Sequence, residues 1–145
     1  MDMPVKPQGC TNLKLRQLMR RVAAHYDAEV GQVGLKGTQY SLLSYVVKLE
    51  PVRPADLAAE MRISPSTLTR NLKPLADAGL VEVLPGADAR SRLVAATQAG
   101  RDKRQEAQRR WRVAQEAINE ILGTRRVVQL HGLIDACMER LGDAG

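Results

Sequence analysis

The sequence predicts a mainly α-helical chain with a single short β-hairpin. Apolar residues recur at three-to-four spacing before Leu49 and again after Thr97, the period of helices with one buried face. Between these regions lie two closely spaced proline-led helix starts, at Pro54 and Pro65. Two β-type runs, Leu80–Leu84 and Arg92–Ala96, flank the turn-rich tip Pro85-Gly86-Ala87-Asp88.

Each element carries its own signal. Leu15, Leu18, Val22, Tyr26, Val30 and Val33 form the stripe of a first helix, which Gly34 and Gly37 interrupt. Thr38 reads as the N-cap of a second helix reaching Leu49, with Leu42, Leu43, Val46 and Val47 as its apolar face. Val52–Arg53, bracketed by prolines, is an extended link to a short third helix, Pro54–Met61. Ser64-Pro65 then supplies a capping hydroxyl and a proline at the first helical position, and the fourth helix runs to Gly79. After the hairpin, Thr97 opens a long helix with Ala107, Trp111, Ala114, Ile118 and Ile121 on its apolar side. Gly123-Thr124 breaks it, and a last helix carries Val127, Leu130, Ile134, Cys137 and Leu141. The outer helices present narrow apolar stripes that need another surface to cover them. A second copy of the chain is the simplest supply.

Composition narrows the function classes. The chain has 145 residues, a formal net charge of +6, 44% hydrophobic and 26% charged residues, enough apolar content to bury a core. No apolar run approaches the ~18 residues of a membrane span. The start, MDMPVKPQGC, lacks the apolar stretch of a signal peptide, which points to a cytoplasmic protein with no membrane partner. Two cysteines, Cys10 and Cys137, are too few for a disulfide framework or a cysteine-rich zinc site, so no metal or cofactor is expected. The aromatics are Tyr26, Tyr40, Tyr45 and Trp111, too few for the stacking platforms that bind single-stranded nucleic acid. There is no GxSxG, HExxH, CxxC pair or glycine-rich phosphate loop, and His25 and His131 lie far apart. No catalytic residue is assigned and an enzyme is not expected.

The excess positive charge permits an anionic partner, and its arrangement says more than its size. The surplus is 3 over residues 1–50, 1 over residues 51–92 and 2 over the remainder. Yet Met61 to Ala76 holds Arg62, Arg70 and Lys73 and no acid at all. A second basic patch, Arg90, Arg92, Arg101, Lys103 and Arg104, meets only Asp88 and Asp102.

Two short helices joined at Arg62-Ile63-Ser64 make a helix-turn-helix candidate. In that motif the second helix enters the major groove of DNA with its N-terminal residues against base edges. Here that end offers Ser64, Ser66, Thr67, Thr69, Arg70 and Lys73, with no carboxylate to repel phosphate. Leu68, Leu72 and Leu75 fall on the opposite side, suited to packing against Leu57 and Met61. A hairpin directly after such a pair makes a winged helix, whose basic wing reaches the minor groove. Arg90 and Arg92 are the candidates for that contact, with Asp88 holding Arg90 in place.

The blocks Thr38-Gln39-Tyr40-Ser41-Leu42-Leu43, Asp56-Leu57-Ala58, Ser66-Thr67-Leu68-Thr69-Arg70, Ala78-Gly79-Leu80-Val81 and Asp88-Ala89-Arg90-Ser91 resemble the MarR family of bacterial transcriptional regulators. The resemblance covers roughly Leu13 to Leu141. It implies a mainly α (α+β) winged helix, a single domain over residues 1–145. Residues 11–50 and 98–141 would form a helical dimerisation region and residues 51–97 a winged helix-turn-helix lobe. It further implies a homodimer on a palindromic double-stranded DNA operator, usually a repressor, released by a small phenolic or aromatic ligand or by cysteine oxidation. Three departures stand out. The turn carries Arg62 where such motifs often carry Gly, Pro74 lies inside the recognition helix, and Ala96-Thr97 replaces the usual Leu-Thr after the wing.

Two sensors are candidates. An intersubunit disulfide between Cys10 and Cys137 is one. The position that the family's peroxide-sensing branch gives to cysteine is Asn12 here, and Cys137 lies on an apolar stripe that suits a buried thiol. The other is a cleft bordered by His25, Tyr26, Tyr40 and Trp111, where Arg20 or Arg21 would meet a carboxylate bidentately. Winged helices also serve as protein- or RNA-interaction modules, which have no need of an acid-free Ser/Thr/Arg face.

Overall fold

The computed structural model describes residues 5–88 and 90–142. Ala89 of the wing block, and residues 1–4 and 143–145 of the assigned domain, lie outside the described residues.

Among the described residues, six α-helices and one hairpin follow the expected order. α1 (Thr11–Val30) passes through a 3₁₀ turn (Gly31–Val33) to α2 (Gly37–Leu49), and α3 (Pro54–Met61) leads to α4 (Pro65–Asp77). The strands β1 (Val81–Pro85) and β2 (Arg92–Ala96) precede α5 (Gln98–Leu122) and α6 (Thr124–Leu141). α1 lies along α5, while α2, α3, α4 and the hairpin gather into one compact unit against the N-terminal part of α5.

The core sits inside that unit. Leu42, Leu43 and Val46 of α2, Leu57 of α3, Leu68 and Leu75 of α4 and Val94 of β2 are at most 1% exposed. Leu72 and Met61 pack against this cluster, as the spacing of apolar residues on α3 and α4 requires. The extended link is also used. Val52 exchanges backbone hydrogen bonds with Val94, N to O at 3.0 and 2.8 Å, which pins the base of the hairpin to the chain before α3.

Several boundaries differ from expectation. α2 starts at Gly37, so Thr38 is its second residue rather than its cap. The orphan donors at this end are met elsewhere. The Lys36 amide donates to Gln39 Oε1 at 2.9 Å, and the Gly37 amide to Asp27 Oδ1 of α1 at 2.7 Å. β1 is shifted by one residue, and Pro85 belongs to the strand, paired with Arg92. α4 ends at Asp77, with Gly79 in the left-handed conformation just beyond, at φ 74°.

The outer helices leave apolar side chains uncovered. Leu15, Leu18, Ile121, Ile134 and Leu141, expected on buried stripes, are 37–83% exposed. Cys137 is likewise exposed rather than buried, because none of the described residues lies over that side of α6.

Candidate nucleic-acid interface

The turn between α3 and α4 is built on a residue in a conformation glycine would favour. Arg62 has φ 56° and ψ 44°, the one positive φ at a non-glycine among the described residues. Its amide donates to the Ala59 carbonyl at 3.1 Å and the Ile63 amide to Ala58 at 3.0 Å, closing the end of α3. Ser64 then caps α4, its hydroxyl accepting from the Thr67 amide at 3.2 Å, and Pro65 follows at the first helical position. Pro74 deletes one backbone hydrogen bond, yet α4 runs without a break to Asp77.

These local rules decide which side chains of α4 face outward. Ser64, Ser66, Thr69 and Arg70 are exposed and Thr67 is half-buried, while Leu68 and Leu75 are sealed beneath them. Two hydroxyls are engaged within the helix. Ser64 donates to Thr67 Oγ1 at 2.9 Å, and Thr69 donates to the Pro65 carbonyl at 3.0 Å. Arg70 makes no ion pair among the described residues. Lys73 does, with Asp77 at 3.2 Å, four residues on. The acid-free stretch stops at Ala76, so the next turn of α4 compensates its own lysine.

The second basic patch divides into two. Arg90 and Arg92 are exposed on the wing and unpaired among the described residues. Arg101 instead pairs with Glu50 at the end of α2. Lys103 bonds the Val33 carbonyl at 3.1 Å and pairs with Glu106, and Arg104 turns toward Ser44 and Gln108. These three fasten α5 to the unit beside it.

Asp88 shapes the wing through backbone rather than through the Arg90 guanidinium. Its Oδ1 accepts the amides of Arg90 and Ser91 and the Ser91 hydroxyl, all at 2.9 Å. These donors hold the carboxyl below its ordinary range, the Arg90 amide contributing most. Below the tip, Gly86 donates to Ser91 at 2.9 Å. At the base, Thr97 Oγ1 accepts from the Gly100 amide at 3.0 Å and donates to the Gly79 carbonyl at 2.6 Å, so one hydroxyl caps α5 and ties it to the end of α4.

A hollow of about 430 Å³ opens between α1, α2, α5 and the α3–α4 turn, with Tyr26, Tyr40, Trp111 and Asn71 in its lining. The Tyr40 and Trp111 rings are stacked at 6.2 Å. Tyr26 donates to Gln115 at 2.6 Å, and burial pushes its phenol above the ordinary range. The other expected lining residues lie elsewhere. Arg20 and Arg21 are exposed on α1, and His25 faces a separate hollow toward Ala114 and Ala117 of α5. The cation at the rim is Lys36, which sequence reasoning missed because the α1–α2 connection reads only as a glycine break.

Among the described residues no helix is long and apolar enough to cross a membrane.

Residues 33–91 match the model of the MarR family. The structure is similar to that of the transcriptional regulator MosR of M. tuberculosis in complex with DNA, at 32% identity and a TM-score of 0.72, over 90% of this chain and 99% of that one. It is also similar to a mutant MarR from E. coli complexed with operator DNA, at 19% identity and a TM-score of 0.79, covering 88% of this chain and 92% of that one. The transcriptional repressor CouR, bound to a 23-mer DNA duplex, gives 20% identity and a TM-score of 0.80 over 88% and 92% of the two chains. No sequence among the curated proteins matches significantly. The match across the α2-to-wing segment and the likeness to MosR over almost its full length agree: the chain belongs to the MarR family of transcriptional regulators.

Proposed function

We propose that the protein is a homodimeric, cytoplasmic repressor that binds a palindromic duplex operator. The observation that carries this reading is the exposed, acid-free N-terminal face of α4 beside Arg90 and Arg92 of the wing, which are exposed and unpaired among the described residues. Ser64, Ser66, Thr67, Thr69 and Arg70 meet the major groove and the wing arginines the minor groove, with half-sites ~34–36 Å apart. Lys73, already paired with Asp77, contributes less than Arg70. That relatives such as MosR and CouR are seen on DNA supports the reading.

Residues 51–97 act as the DNA-binding lobe, and residues 11–50 and 98–141 as the dimerisation region. The uncovered side chains of α1 and α6 support that division, since a stable homodimer would bury them. The effector is a small phenolic or aromatic acid held by Tyr26, Tyr40 and Trp111 in the hollow beneath the lobe.

Binding to duplex DNA across a salt series tests the function. Affinity should fall steeply as salt rises, because phosphate contacts release counterions. A flat response would favour a protein-interaction module.

The exposure of both Cys10 and Cys137 favours a second reading, release by oxidation. Unchanged operator affinity after peroxide, with both thiols still reduced, would exclude it.

A further inference from the structure

The outward face of α4 carries Ser66, Thr69, Arg70 and Lys73 at helical spacing, all exposed, with Leu68 and Leu75 sealed on the opposite side. The polar groups of these four are not equally available. Lys73 pairs with Asp77 at 3.2 Å. The Ser66 hydroxyl and the Arg70 guanidinium meet no protein partner among the described residues. Thr69 differs from all three, because its hydroxyl donates to the Pro65 carbonyl at 3.0 Å, one turn back along the same helix.

That bond decides which group of Thr69 a ligand meets. A threonine inside a helix has two accessible χ1 settings, and its hydroxyl can bond the carbonyl of the preceding turn. The acceptor here is well fixed, since Pro65 sits at the first helical position behind the Ser64 cap. With the hydroxyl turned back and its proton used, the group left to face outward is the Cγ2 methyl. Thr67 does not offer the same choice, being half-buried with its Oγ1 accepting from Ser64 at 2.9 Å. The centre of the exposed face is therefore one methyl beside a free hydroxyl and a free guanidinium.

In the major groove a single base presents an apolar group, the C5-methyl of thymine, and the other base edges offer amino, keto and ring-nitrogen groups. A methyl set against those groups would strip them of water and return no hydrogen bond. Set against the thymine methyl it loses nothing and buries apolar surface.

We propose that Thr69 is a specificity-determining residue that reads one thymine in each half-site by packing its methyl against the C5-methyl of the base. The inference rests on the reading of α4 as the helix that enters the major groove, and it adds which base is selected there and by what contact.

The test uses a duplex enriched by the wild-type full chain from a random-sequence pool. Its thymines are replaced one at a time by uracil, which differs only in lacking the C5-methyl. Replacement at one position of a half-site should weaken binding about fourfold, the effect of one methyl-sized contact. Thr69→Val keeps the methyl and loses the hydroxyl, and should retain this discrimination. Thr69→Ser keeps the hydroxyl and loses the methyl, and should bind the thymine and uracil duplexes equally. Thr69 is exposed, so both variants should fold, and Thr69→Ala, expected to behave as Thr69→Ser does, keeps the test open if one does not. No uracil effect in the wild type, discrimination that survives in Thr69→Ser or Thr69→Ala, or discrimination lost in Thr69→Val would overturn the proposal while leaving α4 as the reading helix. Enrichment of no sequence by the wild type would overturn both.

Discussion

The Asp88 carboxylate accepts the backbone amide of Arg90 at 2.9 Å, so the wing arginine is aimed by its main chain while its guanidinium meets no acid among the described residues. Removing that acceptor should unfix the tip without touching the core. Asp88→Ala is expected to lower DNA affinity about as much as Arg90→Ala, with little change in Tm, because surface changes away from packing cost little. A fluorescence anisotropy titration beside a melting curve separates the two effects.

The same contact sets a pH window. Because the folded carboxyl titrates below its ordinary value, the wing contact is fully present above the unfolded value of about 3.9 and is lost as pH falls through the lower, folded one. The Arg90 and Ser91 amide resonances should therefore hold steady from pH 8 to about pH 5 and move only in stronger acid. Movement centred near neutrality would contradict the assignment.

Ser64 couples stability to binding in a way that charge can split. Ser64→Ala loses the cap of α4 and should cost about 1 kcal/mol. Ser64→Asp keeps a capping oxygen and suits the helix dipole, so stability should hold. DNA affinity should nevertheless drop with Ser64→Asp, because a carboxylate then stands where phosphate or base edges are expected. Denaturant melts and binding isotherms on both variants check this.

Gly100 marks where α5 presses on the hairpin. A Cβ there would run into the Leu80 carbonyl, a backbone atom that cannot swing aside. Gly100→Ala should destabilise by about 2–3 kcal/mol, at the upper end of overpacking costs. At Gly31 nothing lies within 4 Å and φ is −62°, so Gly31→Ala should stabilise by about 0.4–1 kcal/mol. Urea unfolding of the pair reports both signs.

Arg62 is a local cost the fold accepts. A side chain at φ 56° is disfavoured by roughly 1–2 kcal/mol, partly offset by the greater freedom glycine has when unfolded. Arg62→Gly should be neutral or gain up to about 0.5 kcal/mol, and Arg62→Val should lose more than about 1 kcal/mol because a β-branched residue fits this region worst. Melting curves of both variants decide.

The elements that were legible in the sequence are those whose signals are local. Pro54 and Ser64-Pro65 announce α3 and α4 because a proline start and a hydroxyl cap act within one turn. The left-handed backbone at Arg62 was foreshadowed only by the motif, which often carries Gly at that turn. What was not legible depends on contacts distant in sequence. Thr38 looks like a cap, but Asp27 on another helix occupies that role. Arg20, Arg21 and His25 share a helix with Tyr26, and only the packing of α1 on α5 decides that Tyr26 alone faces the aromatic hollow. The bonds that tie Arg101, Lys103 and Arg104 to neighbouring elements have the same origin, since a basic run in sequence carries no information about which partners those elements offer.

In the proposed homodimer two copies of α4 would read duplex DNA, one turn of the double helix apart. Selection of bound duplexes from a random-sequence pool by the full-length protein tests it most directly. Enrichment of an inverted repeat with half-site centres ~10–10.5 bp apart is expected, lost when Arg70→Ala replaces the wild type. Enrichment of a single non-palindromic site, or of nothing, would contradict it.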